Sequence, residues 1–504
     1  MKITHIISHL GGGVGKAVTT LINESRKFGN YDHSVICLDE ISDFSKRLIQ
    51  LNNIEVQGNC SLHEICHNSD IIQIEWWNHP LINKFIFSNK LGAARIIIYS
   101  HIAGFFPPSV FNDSIINYAD KFVLSTRFSL EHKLIKNTLN KSKNKIKVIP
   151  SLSNSIIDMR EIVSIKHNNF NVLYVGTVDF SKMHPNFVAM SSSIKIPGLK
   201  IHVCGGEMQN VLKKQAKVLG KENLFEFHGF VDNVGDFLAM ADVFGYPLNE
   251  KHYGTGEQVI LEAMSAGVVP VVFNNGCERN IVINNQNGLI VCNESEYVKA
   301  IEFLYNNKNI RKKLSKNAKK YASEKLNLSK YASAFNEIYD EILREGKKER
   351  NFEIDYRINK YFVPIGARIF LTFLGKYSFY FEKSIFASDI QDLIEADFHI
   401  ARLSYEMKSK SKGSAFHYLR YFPNDFLLLY WCGLLSFGNN SYSQNLFVNA
   451  FNEGFRHWRI KIYIELLSEG NSNFKSIAVP EYEYKDKNYF YNEIKRRYYN
   501  FNKR

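Results

Sequence analysis

The chain has 504 residues, with 63 Lys and Arg against 50 Asp and Glu, a formal net charge of +13, 45% hydrophobic residues and 14% aromatic residues. That length accommodates two large domains and an extension, each with its own core, and excludes a small binding module; the composition excludes disorder outside a charged linker and the C-terminal tail. The positive balance favours anionic partners such as nucleotide sugars and anionic lipid surfaces, although most of these lysines can equally be ordinary solvated ones; no RNP-type aromatic motif or zinc-finger ligand set supports nucleic acid. The N-terminal MKITHIISHLGGGVGK lacks the apolar core of a signal peptide and no long uncharged apolar run follows, so a cytoplasmic protein is expected. An odd count of seven cysteines, with no CxxC pair, fits a reducing compartment without disulfides. Cys60, His63, Cys66 and His67 form C-x2-H-x2-C-H, which matches no zinc spacing, and no metal is expected.

In chain order, short apolar runs at Ile3–Ser8, Ser34–Leu38, Ile71–Glu75, Arg95–Tyr99, Lys121–Leu124 and Lys147–Ile149 alternate with helical patterns. The alternation restarts with Asn171–Val175, Lys200–Val203, Leu224–Phe227, Val243–Tyr246, Val268–Phe273 and Gly288–Val291. This predicts an α/β chain of two doubly wound Rossmann-like domains, residues 1–160 and 161–345, facing a cleft, with ligand outside the carboxyl ends of the strands. From Gly346 the sequence turns aromatic and helical, so residues 346–504 read as a helical accessory region. Ser414–Leu467 suggests tetratricopeptide-like helix pairs, and Phe426–Phe437 is too short to span a bilayer and reads as a buried helix. Arg357–Lys376, mixing aromatic, aliphatic and basic residues, reads as a packed helix or an interfacial one.

Five segments carry chemistry. Tyr253–Pro270, YGTGEQVILEAMSAGVVP, is a glycine-rich turn feeding a helix, a geometry that binds anions through the first-turn amides. Glu262 is an acid on its mostly apolar helix, and Gly267 stops that helix. Gly11 to Lys16, GGGVGK, follows the first strand but fails as a triphosphate loop, because a Walker spacing places Leu10 where glycine belongs and Ala17 where Ser or Thr belongs. Lys182 and His101 each sit on a loop just after a strand. Glu75, Trp76, Trp77, Asn78 and His79 also leave a strand, and adjacent tryptophans on extended chain cannot both enter one core; Trp76, Trp77, Asn78 and His79 are therefore a candidate wall for stacking on a sugar ring and bonding its hydroxyls, the acceptor wall if the chain transfers sugars. Each site has a structural alternative: a solvated lysine, a structural histidine, a packed aromatic cluster, an acid capping a loop, a glycine turn with no ligand.

The Tyr253–Pro270 segment resembles the signature of retaining family 4 glycosyltransferases, of GT-B fold (glycosyl transferases group 1), and the resemblance covers roughly the first 345 residues. In that family one glutamate opens the loop and a second begins an EAM sequence eight residues later; Glu262, Ala263 and Met264 match the second, Gly254 stands in place of the first, and Glu257 is the nearest substitute toward the donor sugar. The resemblance implies that Glu262 holds the donor ribose, that Gly256 and Gln258 join the helix-start amides on the donor, and that Gly12 and Gly13 line the cleft near its diphosphate. Gly176 and Lys182 match the family's glycine and lysine, while Thr177 occupies its arginine position, so Lys182 carries more of the leaving-group charge. By the same resemblance His101 contacts the donor sugar, Gly229 and Phe230 of FHGFV lie beside the nucleobase, and Glu278 orients the donor. The implied activity is transfer of a hexosyl group from a nucleotide sugar to a glycan or lipid-linked acceptor, with retention. It would serve bacterial surface polysaccharide synthesis at the inner membrane face, with peripheral membrane contact, no metal or other cofactor, and a protein partner at the helical region. Two rivals keep the fold: a catalytically silent scaffold, suggested by Gly254 and Thr177, and a sugar-nucleotide epimerase, for which no acid and base pair is evident.

Overall fold

A computed structural model of the chain describes residues 1–56, 62–87, 91–255, 258–352, 363–410, 412–468 and 484–502. Strands β1 (Lys2–Ile7), β2 (Asp32–Cys37), β3 (Glu55–Val56), β4 (Ile71–Trp76), β5 (Ile96–Ser100), β6 (Lys121–Leu124) and β7 (Ile146–Val148) form one sheet, in the order β3-β2-β1-β4-β5-β6-β7. Strands β8 (Phe170–Val175), β9 (Leu199–Cys204), β10 (Phe225–Gly229), β11 (Val243–Tyr246), β12 (Val269–Phe273) and β13 (Leu289–Val291) form a second, ordered β10-β9-β8-β11-β12-β13. Every pairing is parallel. Helices cover both faces, which is why central strands such as IIQIEW of β4 and IIIYS of β5 are buried at every position instead of alternating. The edge strand β3 has two residues, too short to leave a hydrophobic pattern, and it alone has no counterpart in the runs marked from sequence.

In both sheets the strand order reverses beside the first strand, between β1 and β4 and between β8 and β11. In doubly wound sheets it is at such points, outside the carboxyl ends of the strands, that the exit loops part and ligands bind. The helix Gly12–Arg26 starts within the β1 exit loop, and Gly15 is needed for its close approach: a Cβ there would lie 2.5 Å from the backbone C and O of Leu10. The helix Gln258–Ala266 ends as the sequence predicts. Gly267, at φ +82°, donates its N–H to Met264 O while Val268 donates to Ala263 O, the paired bonds of a Schellman turn.

The chain divides into two compact units. Met1–Trp77, Lys90–Phe106 and Ile116–Asn351 hold both sheets; Asn78–Asn89, Pro107–Ile115 and Phe352–Arg504 form a helical unit. In the helical unit Phe426–Leu435 is buried almost throughout, and Asp425 caps it by accepting from the N–H groups of Leu427 and Leu428 at 3.1 Å each. Arg459 and Asp397 make a fully buried ion pair at 3.2 Å, shared with Tyr430 and Tyr463. Of Arg357–Lys376, the Ile365–Thr372 stretch is helical with Ile369, Phe370 and Leu371 buried, while 357–362 lie outside the described residues. Among the described residues no helix is long and apolar enough to cross a membrane.

Candidate functional site

The candidate site is built by loops from both sheets of the first unit. From the second sheet, β8 leads into Gly176, Thr177 and Lys182. The turn is set by Lys182 N–H donating to Asp179 O at 2.9 Å and by Asn249 N–H donating to Lys182 O at 2.8 Å; the ammonium sits 5.8 Å from the centre of the Tyr246 ring. Thr177 is held by two tyrosines: Tyr253 donates to its Oγ1 at 3.4 Å and Tyr174 to its carbonyl at 2.9 Å. The β9 exit packs directly beneath, and a Cβ on Gly205 would fall 1.9 Å from Gly176 O. At the sheet edge Gly229 ends β10, and Phe230, 70% exposed, meets Phe44 edge-on at 6.2 Å.

The loop before Gln258–Ala266 is organised from below. Glu278, completely buried, accepts from His252 Nε2 at 3.0 Å and from Asn275 Nδ2 at 3.2 Å, while His252 Nδ1 accepts from Gly254 N–H at 3.0 Å. Its carboxylate is thus engaged in shaping the loop. Gly256 and Glu257 lie outside the described residues. Glu262, 5% exposed, accepts from Ser155 Oγ at 2.6 Å, and Lys16 Nζ stands 3.5 Å away. Further bonds join the two sheets here: Gln258 Nε2 donates to Gly13 O at 3.2 Å, Thr255 Oγ1 to His101 O at 3.4 Å, and Ala103 N–H to Tyr253 O at 3.4 Å. Gly13, Lys16, His101, Thr255, Gln258 and Glu262 are therefore brought together where loops of the two sheets meet, with Lys16 supplying a cation from the β1 side.

His101 follows β5 and is nearly buried, its Nε2 2.8 Å from Glu75 Oε2. Burial alone would raise the Glu75 carboxyl, yet hydrogen bonds from His101 and His5 bring its pKa down to about 2, so it is a carboxylate. Of the aromatic segment, Trp76 is fully buried against Phe122 and Trp77 is half-buried, edge-on to His9 at 5.9 Å. Asn78 and His79 belong to the helical unit. Asn78 donates to Pro108 O and accepts from Asn83 at 2.7 Å and Tyr418 at 2.8 Å, and His79 packs on His417 at 4.8 Å. These bonds use the side chain of Asn78 in packing.

Cys60 and the side chains of His63 and Cys66 lie outside the described residues. Among those described, His202, Glu226 and His228 on β9 and β10 group their ligand atoms within 4.8 Å, but Lys200 Nζ already lies 3.3 Å from Glu226. Sequence reasoning passed over Ser155, which carries no local signal, and gave Lys16 no role of its own within the Gly11–Lys16 loop. It also gave Glu75 no role, although an acid inside the buried run IIQIEW demands partners.

Residues 155–321, about a third of the chain and most of its second sheet region, match the family model of glycosyl transferases group 1. The Bacillus subtilis (strain 168) proteins EpsD and YtcC, both provisionally named glycosyltransferases, are 24% identical over 169 residues and 26% identical over 148. These alignments cover 32% and 26% of this chain, and 44% and 34% of theirs, so the chain spans less than half the length of the curated relatives it matches. Among solved structures, Anabaena HepE in complex with UDP and glucose has a TM-score of 0.55 at 17% identity, over 68% of this chain and 100% of that one. A glycosyltransferase from Rickettsia africae ESF-5 has a TM-score of 0.54 at 16% identity, over 68% and 99%. Likeness at such identity is likeness of fold: the two sheets adopt the GT-B arrangement, with a helical C-terminal region added.

Proposed function

We propose that this chain is a retaining glycosyltransferase, moving a sugar from a nucleoside diphosphate donor to a hydroxyl of a glycan or lipid-linked acceptor. The observation that carries the reading is the convergence, at the reversal points of both sheets, of the Lys182 loop, the Tyr253–Thr255 loop, Glu262 and the Gly13–Lys16 helix start. The family match over residues 155–321 and the UDP and glucose bound to HepE support it. In this reading Lys182 neutralises the leaving diphosphate, Glu262 holds the ribose, and the departing phosphate takes the acceptor proton on the same face. Fixed cations and helix-start amides then stabilise the growing charge, and no metal is required. Thr177 offers a neutral hydroxyl where the family has arginine, which leaves the cationic work to Lys182 with Lys16 nearby. Glu257 stands in for the absent first glutamate, His101 meets the donor sugar, Gly229 and Phe230 the base, and Trp77 the acceptor.

A role in surface polysaccharide synthesis at the inner membrane face fits the net charge of +13, and the Lys308–Lys325 helix, with seven lysines and Arg311 against Glu324, is its most basic element. The silent-scaffold reading is favoured by Gly254 and Thr177 and makes the opposite prediction in one experiment. A nucleotide-sugar panel read by thermal shift identifies the donor, since a ligand at 100 times its Kd adds about 2.7 kcal/mol of stability. Lys182→Ala should then slow donor turnover by about 10²–10³-fold with unfolding unchanged. Full turnover in both Lys182→Ala and Glu262→Ala would sink the transferase reading.

A further inference from the structure

A stripe of polar side chains crosses the face of the first sheet that lies beneath the Leu328–Leu343 helix, where a doubly covered sheet is ordinarily aliphatic. His33 on β2, His5 on β1, Gln73 and Glu75 on β4, and His101 just after β5 are at most 9% exposed and joined in one chain. Glu75 Oε1 lies 2.9 Å from His5 Nδ1, and His5 Nε2 lies 2.9 Å from His33 Nδ1. His33 Nε2 lies 3.0 Å from Ser25 Oγ, which donates to Asn336 Oδ1 at 2.8 Å. Gln73 Nε2 also donates to Glu75 Oε1, at 2.8 Å, and is oriented by Tyr339, whose hydroxyl donates to Gln73 Oε1 at 2.7 Å.

Protons can be counted along this chain, because its end is fixed. The Ser25 proton goes to Asn336 Oδ1, which accepts only, so His33 Nε2 is the donor to Ser25. Burial holds the His33 pKa at about 2, so His33 is neutral and its Nδ1 accepts. His5 must then donate from Nε2 to His33 and from Nδ1 to Glu75, and it carries both protons. The second Glu75 oxygen accepts from His101 Nε2.

We propose that Glu75 is the positioning residue of His101, fixing it as the neutral imidazole protonated at Nε2, with His5 as the buried imidazolium that balances the Glu75 charge. In that form Nδ1 of His101 is an acceptor, suited to a hydroxyl and repelled by a phosphate oxygen. Resting on the transferase reading, this assigns His101 to a sugar hydroxyl and not to the diphosphate.

Imidazole nitrogen NMR of the full chain labelled with 15N-histidine tests this, with signals identified by their loss in His101→Gln and His5→Gln. The expected spectrum has His101 protonated at Nε2 alone and His5 protonated at both nitrogens. In Glu75→Gln, Gln73 keeps the new amide oxygen on its own side, so the amide nitrogen meets His101. His101 should switch to the Nδ1-protonated form, and turnover should fall at least tenfold with the affinity for uridine diphosphate within twofold of wild type. A wild-type His101 protonated at Nδ1, a neutral His5, or an unchanged His101 in a folded Glu75→Gln would overturn the proposal. If Glu75→Gln does not fold, the wild-type spectrum alone decides. Absence of donor turnover in the wild type would instead sink the transferase reading and leave the tautomer result standing.

Discussion

Alanine at Gly15 and at Gly13 separates the two reasons a glycine can follow β1: close packing of the helix, or close approach of a ligand. A Cβ on Gly15 would sit 2.5 Å from Leu10 C and O and 3.1 Å from Leu10 Cα, against the 3.4 Å at which ordinary contact begins. The obstacle is the backbone of a fully buried residue, so it cannot swing aside, and the helix start must retreat by roughly 0.9 Å. Overpacking of this kind costs about 2 kcal/mol in the middle of its range, and the stiffer unfolded chain returns about 0.7 kcal/mol, leaving a net loss of about 1.3 kcal/mol. At Gly13 the nearest atoms are the Gln258 amide at 4.0 Å, so alanine there should change stability by less than about 0.5 kcal/mol. Urea denaturation followed by tryptophan fluorescence, with uridine diphosphate calorimetry in parallel, reads both. Gly15→Ala should lose stability and nucleotide affinity together, because Lys16 moves with the helix start, whereas Gly13→Ala should lose affinity alone. A Gly15→Ala protein as stable as wild type within about 0.5 kcal/mol would refute the packing argument.

Two further outcomes follow from the same geometry. Gly205→Ala drives a methyl group to 1.9 Å from Gly176 O and must displace the Thr177–Lys182 loop, so nucleotide affinity should fall at least tenfold; unchanged affinity by calorimetry would dissociate that loop from the donor. His33, held at about pKa 2 against an ordinary 6.5, refuses a proton that the unfolded chain accepts, so its contribution is complete above pH 6.5 and is lost as pH falls toward 2. Between pH 7.5 and pH 5 that amounts to about 2 kcal/mol, read from urea midpoints, and His33→Gln should remove it; identical pH dependence in the two proteins would refute the assignment of His33 as neutral.

How much of this was legible in the sequence depends on whether the determinant is local. Val243–Tyr246 is a strand over the very residues the sequence marks, and eleven of the other twelve strands fall within two residues of a marked run, because a doubly covered strand is an unbroken apolar run between turn residues. Their order is not local: that β1 lies between β2 and β4 follows from how helices cross over the sheet, and no residue within a strand encodes it. The site divides the same way. The placement of Lys182 and His101 is readable because a loop after a parallel strand opens at the carboxyl edge wherever the chain goes next. The same rule misplaces emphasis at Asn78, which also follows a strand but bonds Tyr418, 340 residues away. Ser155 meets Glu262 across 107 residues and nothing near either announces it. Glu75 stands between these cases: an acid amid β4 could not be buried without donors, so the sequence required partners for it, and only the fold could supply His5 from 70 residues before and His101 from 26 after.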